Sequence, residues 1–192
     1  MKGLGIANYT SDPVFRDGLE QSPEEDMEAA IQHWIAMYPN AGLTWDSLDY
    51  VRESTELPIV LKGILHPADA REAAERGYDG VVVSNHGGRQ VDGSIPSLEA
   101  LPEVVAAVPD EFTVLFDSGI RTGADIIKAL ALGARTVLVG RPWVWGLALG
   151  GEAGATAVLR GLLADLDLSM AMCGLGSIEE IDADVLVHAP AG

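Results

Sequence analysis

Cysteine is almost absent from this chain of 192 residues, which contains only Cys173. A single cysteine forms no internal disulfide, and its apolar neighbours in LSMAMCGLG predict a packing role at the end of a helix rather than a reactive thiol. A chain without disulfides suits a reducing compartment.

Basic residues are also scarce: 12 arginines and lysines face 29 acidic residues, which gives a formal net charge of −17. Such a balance argues against a nucleic-acid or anionic-membrane partner, because both are polyanions. Two interpretations of the acidity stay open. It is either an ordinary solvated surface or an adaptation to a high-salt cytoplasm, where salt screens the repulsion between like charges.

Long apolar runs are missing as well. No run approaches the roughly 18 residues that a membrane span needs, and residues 1–19 lack the apolar core of a signal peptide. We therefore expect a cytoplasmic protein without a membrane partner. The apolar content of 48% is sufficient for one domain with a real core.

From residue 58 onward, short runs of valine, isoleucine and leucine alternate with helical patterns. The runs lack the apolar/polar alternation of a half-exposed strand, so they predict parallel strands buried on both faces. The predicted strands are 58–63, 79–85, 112–118 and 135–141, and the predicted helices between them are 67–77, 97–108 and 122–133. Pro67, Gly77 and Thr122 mark helix ends, and Pro102 is expected in or before the first turn of its helix.

The rest of the chain is less regular. Residues 24–38 predict an amphipathic helix, 44–56 the helix that leads into the first strand, and 1–23 an irregular loop. After Arg141, two further helices are predicted at 143–151 and 152–174. We divide the chain into a first segment, residues 1–43, and the barrel-type domain, residues 44–192.

The chemically reactive residues all fall where a predicted strand ends. These positions are Lys62, Ser84–Arg89, Asp117–Arg121 and Gly140–Arg141. In a β/α barrel this face carries the active site. A doubly wound sheet also uses the carboxyl ends of its strands, but KGILHP after the first strand is not the glycine-rich turn expected there. Four units are half of the eight that a barrel needs, so the predicted fold is an incomplete TIM (β/α)8 barrel, with four parallel strands and surrounding helices.

Several of these residues suggest a reaction. His86, between an asparagine and two glycines, is a candidate general base, and Arg89 offers a planar fork to a carboxylate. The alternatives are a core histidine and a plain salt bridge. Lys62 suits a developing anion, although a lysine at a strand end also has purely structural uses. DSGIRTG and GRP place glycine and arginine at neighbouring strand ends, which suggests one phosphate held from both sides.

Taken together, LKG, SNHGGRQ, DSGIRTGADIIKALALGA and VGRP resemble the C-terminal half of the FMN-dependent 2-hydroxy acid oxidase and dehydrogenase family. This family includes glycolate oxidase, lactate oxidase, lactate monooxygenase and flavocytochrome lactate dehydrogenases. The resemblance spans roughly residues 43–182. GLGIANYTSDPVFR followed by SPEED looks most like the long active-site loop of the lactate monooxygenases, which implies that residues 1–43 are an active-site-loop remnant with a helix.

The resemblance implies a role for each strand-end residue. His86 would be the catalytic base, Arg89 would pair with the substrate carboxylate, and Lys62 would stabilise negative charge near N1 and O2 of the reduced flavin. Ser84 would contact the flavin and Asp117 the ribityl chain of FMN. The phosphate would be held by the backbone of Asp117, Ser118, Gly119, Ile120 and Arg121, together with Gly140 and Arg141. No metal is implied.

The implied activity is oxidation of a small L-2-hydroxy acid to the 2-keto acid or its decarboxylated product, with oxygen as the electron acceptor. The first four strands of the family have no counterpart here, so we expect the isolated chain to lack activity. A second copy or a partner chain would complete the barrel. The alternative is a non-catalytic half-barrel that binds FMN or phosphate as an assembly partner. A different phosphate-binding barrel enzyme is disfavoured by SNHGGR.

Overall fold

The computed structural model of the chain describes residues 4–38, 40 and 42–187. The chain divides into two compact units, Met1–Glu56 and Leu57–Gly192. The stretch 44–56, which the sequence analysis grouped with the barrel-type domain, thus belongs to the first compact unit. The interpretation of residues 1–43 as an active-site-loop remnant stays a prediction.

The first unit is helical. Its helices are α1 (Ala7–Thr10), α2 (Pro13–Asp17), α3 (Met27–Met37) and α4 (Asp49–Glu53). The expectation of an irregular loop over residues 1–23 is wrong over residues 4–17, where a 3-10 turn and the short helices α1 and α2 lie. Residues 18–23 are irregular as expected, and residues 1–3 lie outside the described residues. The Asp12 side chain accepts a hydrogen bond from Phe15 N at 3.1 Å, and Pro13 occupies the first turn of α2.

The second unit is built on a parallel sheet. Its strands are β1 (Val60–Ile64), β2 (Gly80–Val83), β3 (Thr113–Phe116) and β4 (Thr136–Val137), paired in the order β1-β2-β3-β4. Each observed strand overlaps one of the four predicted runs. The order follows the chain because each strand is linked to the next by a crossover on one side, as in a β/α barrel.

The crossover helices are α5 (Pro67–Glu75), α6 (Ser97–Ala106) and α7 (Gly123–Ala131). Their predicted start and stop signals are confirmed at α5 and α7. Thr122 and Asp125 form a reciprocal capping box at the start of α7. The position expected for Pro102 is wrong, because it lies inside α6. Proline removes only its own N–H there, and the first turn is already closed by bonds to Pro96 O.

The core lies between the centre of the sheet and its helices. All four residues of β2 are buried. The side chains that pack there expose 2% of their surface or less in Phe116, Leu101 and Val104. Burial on both faces was also predicted for β1 and β4, and there it is wrong. These two strands are the edges of the described sheet, and no residue of either is buried.

The last helix, α8 (Arg141–Met172), is long and apolar enough to cross a membrane by length and composition alone. It is not straight, because Gly150 and Gly151 leave helical φ and ψ. A Cβ on Gly154 would collide with the carbonyl oxygen of Gly146, whereas these positions are about 12 Å apart along a straight helix. The chain therefore turns back on itself here, and the predicted pair of helices is confirmed.

Cys173 follows α8 directly as its C-terminal cap residue. The predicted location at a helix end is confirmed, but the predicted packing role is wrong because the cysteine is exposed. Much of the surface of α8 is exposed in the same way, with Leu149 at 91% and Met172 at 87%.

Candidate active site

Three polar side chains from adjacent strand ends meet at the carboxyl edge of the sheet. Lys62 Nζ lies 2.8 Å from Asp117 Oδ2 and donates a hydrogen bond to Ser84 Oγ at 3.1 Å. Ser84 Oγ donates to the same carboxylate oxygen at 2.6 Å. Lys62 belongs to β1, while Ser84 and Asp117 follow β2 and β3 directly, so the parallel pairing places the three side by side.

The pKa of the Asp117 carboxyl is held below its ordinary value. Burial by itself raises this pKa, because it disfavours the charged form. Hydrogen bonds from Lys62 and Ser84, together with the positive charge of Lys62, act in the opposite direction and outweigh burial. Asp117 is therefore ionised at neutral pH and balances the charge of Lys62.

The turn His86–Gly88 comes immediately after β2 and Asn85. His86 has a left-handed φ of 58°, and its N–H donates to Ser84 Oγ at 3.0 Å. Arg89 folds back over the turn, with Nη2 3.2 Å from His86 Nε2. A guanidinium only donates hydrogen bonds, so this pairing requires the tautomer of His86 in which Nε2 is the acceptor.

A second contact anchors the turn to the loop after β3. The N–H of Gly87 donates to Ser118 Oγ at 2.9 Å, and the carbonyl of Gly87 accepts from Arg141 Nη2 at 2.8 Å. The chain segments that follow β2, β3 and β4 thus converge on one turn.

A cavity of about 260 Å³ opens beside this turn. The three arginines that line it, Arg89, Arg121 and Arg141, form no ion pair with any carboxylate of the described residues. Arg121 instead lies over the ring of Trp145, at 5.6 Å from its centroid. Three guanidinium groups without an ion pair at one cavity, in a chain of net charge −17, indicate a site for an anion.

The two helix N-termini near the cavity differ. The first turn of α7 is already capped, because Asp125 accepts from Thr122 N at 2.9 Å and Asp165 accepts from Gly123 N at 2.5 Å. The first turn of α8 has no side-chain cap, and Gly140 precedes it. Of the two predicted anion-binding ends, α8 is therefore the one whose N-terminal amides are available to a ligand.

Most of the predicted site residues line this cavity: His86, Arg89, Asp117, Ser118, Gly119, Ile120, Arg121, Gly140 and Arg141. Lys62 and Ser84 do not. Ser84 is 2% exposed, and its hydroxyl is used within the network around Asp117. The roles that the resemblance implies for all these residues, including flavin contacts by Lys62 and Ser84, stay predictions.

Sequence reasoning missed several residues at and beside this cavity. Asn85 lies beside it and caps the histidine turn by accepting from Gly88 N at 3.2 Å. The residues missed in the lining itself are Gly87, Leu138, Pro142, Trp143 and Val144. A signal for Trp143 and Val144 was present, because the aromatic run WVW directly follows the GRP motif at the start of a helix.

Comparison with known proteins agrees with this geometry. The sequence profile of the FMN-dependent dehydrogenase family matches residues 1–188. An FMN-dependent alpha-hydroxy acid dehydrogenase of Penicillium citrinum is 50% identical over 96% of this chain and 46% of its own length. An L-lactate oxidase of Nostoc is 48% identical over 96% of this chain and 49% of its own length.

Solved structures agree as well. Mandelate oxidase in complex with benzoyl-formic acid has a TM-score of 0.68 and 50% identity, covering 71% of this chain and 41% of the oxidase. The chain spans about half the length of the curated relatives that it matches. Four parallel strands with surrounding helices are consistent with the C-terminal half of a TIM barrel. With a profile match over nearly its whole length, the chain belongs to the FMN-dependent dehydrogenase family, whose cofactor is FMN.

Proposed function

We propose that this chain supplies the phosphate pocket and the substrate-binding face of an FMN-dependent oxidoreductase that acts on a small, lactate-like L-2-hydroxy acid. The proposed product is the 2-keto acid or, for a monooxygenase type, its decarboxylated form, and oxygen is the proposed electron acceptor. The observation that carries this proposal is the presence of three arginines without an ion pair, Arg89, Arg121 and Arg141, at the cavity that His86 also lines.

The residues present fit the phosphate end of FMN. A Cβ on Gly119 or on Gly140 would meet no atom within 4 Å, so the backbone of both is open to a ligand. The uncapped start of α8 adds N–H groups, and Arg121 and Arg141 add two positive charges. These groups would hold the phosphate.

His86 and Arg89 would act on the substrate. FMN, when bound, supplies the acceptor for the two electrons that leave the α-carbon with its hydrogen. In this arrangement the lone pair of His86 Nε2 accepts from Arg89, and it would take the proton of the substrate hydroxyl once the guanidinium turns to the substrate. The fork of Arg89 then pairs with the substrate carboxylate in a bidentate geometry.

Lys62 would add positive charge close to the reacting centre. Asp117 and Ser84 hold its ammonium group at 2.8 and 3.1 Å, which fixes its position at the sheet edge. A preorganised cation stabilises developing negative charge without reorganisation during the reaction.

The remaining part of the barrel would come from strands outside this sheet, supplied by the same polypeptide, by a second chain or by a further copy of this one. The relatives have about twice the length of this chain, and both edges of its sheet are exposed. A complete cavity for the flavin ring therefore requires strands that this sheet does not contain.

FMN binding tests the proposal directly. Titration of the chain with FMN, followed by flavin fluorescence, should show binding that Arg141→Ala weakens by about tenfold, because a charge-assisted contact to the phosphate is lost. Arg160→Ala is the matched control, since Arg160 is an exposed arginine of α8 that does not line the cavity. Equal affinity for FMN in the Arg141 and Arg160 variants would overturn the phosphate assignment.

Flavin reduction tests the chemistry. The chain is combined with a separately expressed N-terminal half from the L-lactate oxidase of Nostoc, and reduction by L-lactate is followed anaerobically by stopped flow. His86→Ala should abolish reduction, while Arg89→Lys should mainly raise the lactate concentration required, because lysine lacks the fork. Unchanged reduction in the His86 variant would remove this residue as the base.

A further inference from the structure

Among the described residues, only His86 and Ser118 are non-glycine residues with a positive φ, at 58° and 92°. This conformation is strained for residues other than glycine, and such residues adopt it where the surrounding structure requires it. The two follow neighbouring strands and border the same cavity.

The hydroxyl of Ser118 connects these two strained positions. It accepts from Gly87 N at 2.9 Å, and it lies 3.4 Å from both Ser84 Oγ and Asp117 Oδ2. The carbonyl of Gly87 in turn accepts from Arg141 Nη2 at 2.8 Å. Gly87 is thus held on one side by Ser118 and holds Arg141 on the other.

Glycine would adopt the φ of Ser118 without strain, and the next residue, Gly119, has a similar φ of 89°. A serine here retains the strain and adds one feature that glycine lacks, the hydroxyl. Among the described residues, the only backbone group outside its own loop that this hydroxyl binds is the N–H of Gly87.

We propose that Ser118 is a positioning residue that fixes the His86–Gly88 turn through Gly87 and thereby fixes Arg141 at the anion site. The inference rests on the proposed function, because it assigns the preorganisation of that site to one side chain. Without the hydroxyl, the turn loses its anchor to the loop after β3, and Arg141 loses its fixed acceptor.

Two substitutions separate the hydroxyl from the backbone strain. Ser118→Ala removes the hydroxyl and keeps the strain, whereas Ser118→Gly removes both. Each variant of the full chain is titrated with FMN and with riboflavin, which lacks the phosphate. Both variants should bind FMN about fivefold more weakly than the wild type, which corresponds to one lost hydrogen bond, while riboflavin affinity stays the same. Ser118→Gly should nevertheless melt at a higher temperature than Ser118→Ala.

If Ser118 had a purely structural role, Ser118→Gly would instead bind FMN with wild-type affinity and would be as stable as the wild type or more stable. That result would overturn the proposal, and so would an equal loss of riboflavin affinity, which would break the link to Arg141.

Amide hydrogen exchange supplies a readout that needs no ligand. The N–H of Gly87 should exchange about tenfold faster in both variants, because its acceptor is gone. If the wild-type chain does not bind FMN, the proposed function fails, and the exchange of Gly87 still decides the role of Ser118. An unchanged exchange rate in both variants would refute that role.

Discussion

At the residue scale, Asp117 does more than the ligand contact that the family resemblance implies. Its carboxylate accepts from both Lys62 and Ser84, so it joins the ends of β1, β2 and β3. Ser84 extends the network by accepting from His86 N. The charge state of Asp117 therefore affects the geometry of the whole sheet edge, including the turn with the candidate base.

This coupling predicts a pH dependence of stability. The pKa of Asp117 is lowered in the folded chain, so its contribution is fully present above the ordinary aspartate pKa of about 3.9 and is lost as the pH falls through the lower folded value. The free energy of unfolding in urea, measured from pH 7 to pH 3, should fall more for the wild type than for Asp117→Asn. The advantage of the wild type over the variant should thus shrink below about pH 4.

The difference between the two proteins cancels the effect of the other carboxylates, which titrate in both. A constant difference from pH 7 to pH 3 would show that the ion pair with Lys62 adds nothing to stability.

The sequence predicted candidate residues at the carboxyl ends of the strands, but not which of them pair with each other. Lys62 and Asp117 are 55 residues apart, and each was interpreted separately as a cofactor contact. Their pairing depends on strand register, which the sequence does not specify to the residue. The positive φ of Ser118 was equally hidden, because no local pattern marks a serine for that conformation.

At the element scale, prediction succeeded where local signals agree with tertiary packing. Helix α7 has the capping box at Thr122 and Asp125, Gly133 after its end with a φ of 100°, and a buried apolar face. Residues 4–17 were misjudged because their helices have only four or five residues, too short for a periodic pattern. Burial of the strands was overestimated at the edges, since apolar composition does not reveal whether a neighbouring strand is present.

The packing of α7 on α8 gives a second prediction. A Cβ on Gly123 would collide with the backbone nitrogen of Leu166, so Gly123→Ala must push the two helices apart. We expect it to lower the free energy of unfolding by about 2 kcal/mol, the scale of overpacking in a core. Urea denaturation measures this loss.

Gly161→Ala is the matched control in the same experiment. A Cβ at Gly161, within α8, meets no atom within 4 Å. Alanine should therefore stabilise the chain by up to about 1 kcal/mol through helix propensity alone. Destabilisation of the same size in both variants would mean that α7 does not pack closely on α8 at Gly123.

At the scale of the whole molecule, net charge and exposed apolar surface have opposite effects on self-association. The net charge of −17 keeps copies of the chain apart at low salt. The second unit nevertheless exposes apolar side chains close to the sheet and along α8, among them Leu57, Val60, Val144, Leu147 and Leu149. Exposed strand edges next to apolar surface recruit further strands.

We therefore predict that the 192-residue chain does not stay monomeric. Its mass by light scattering should rise with protein concentration, and more steeply in high salt, which screens the repulsion between copies. Adding the N-terminal half of a relative should suppress this self-association by closing the sheet, since closure alone removes both edges.

Val60→Lys should reduce self-association because it places a charge on the β1 edge, where Val60 is 37% exposed. Val187→Lys, the same substitution at a residue 96% exposed outside the strands, should leave it unchanged. A monomeric mass at every concentration and salt level would show that the open edges of this sheet need no partner.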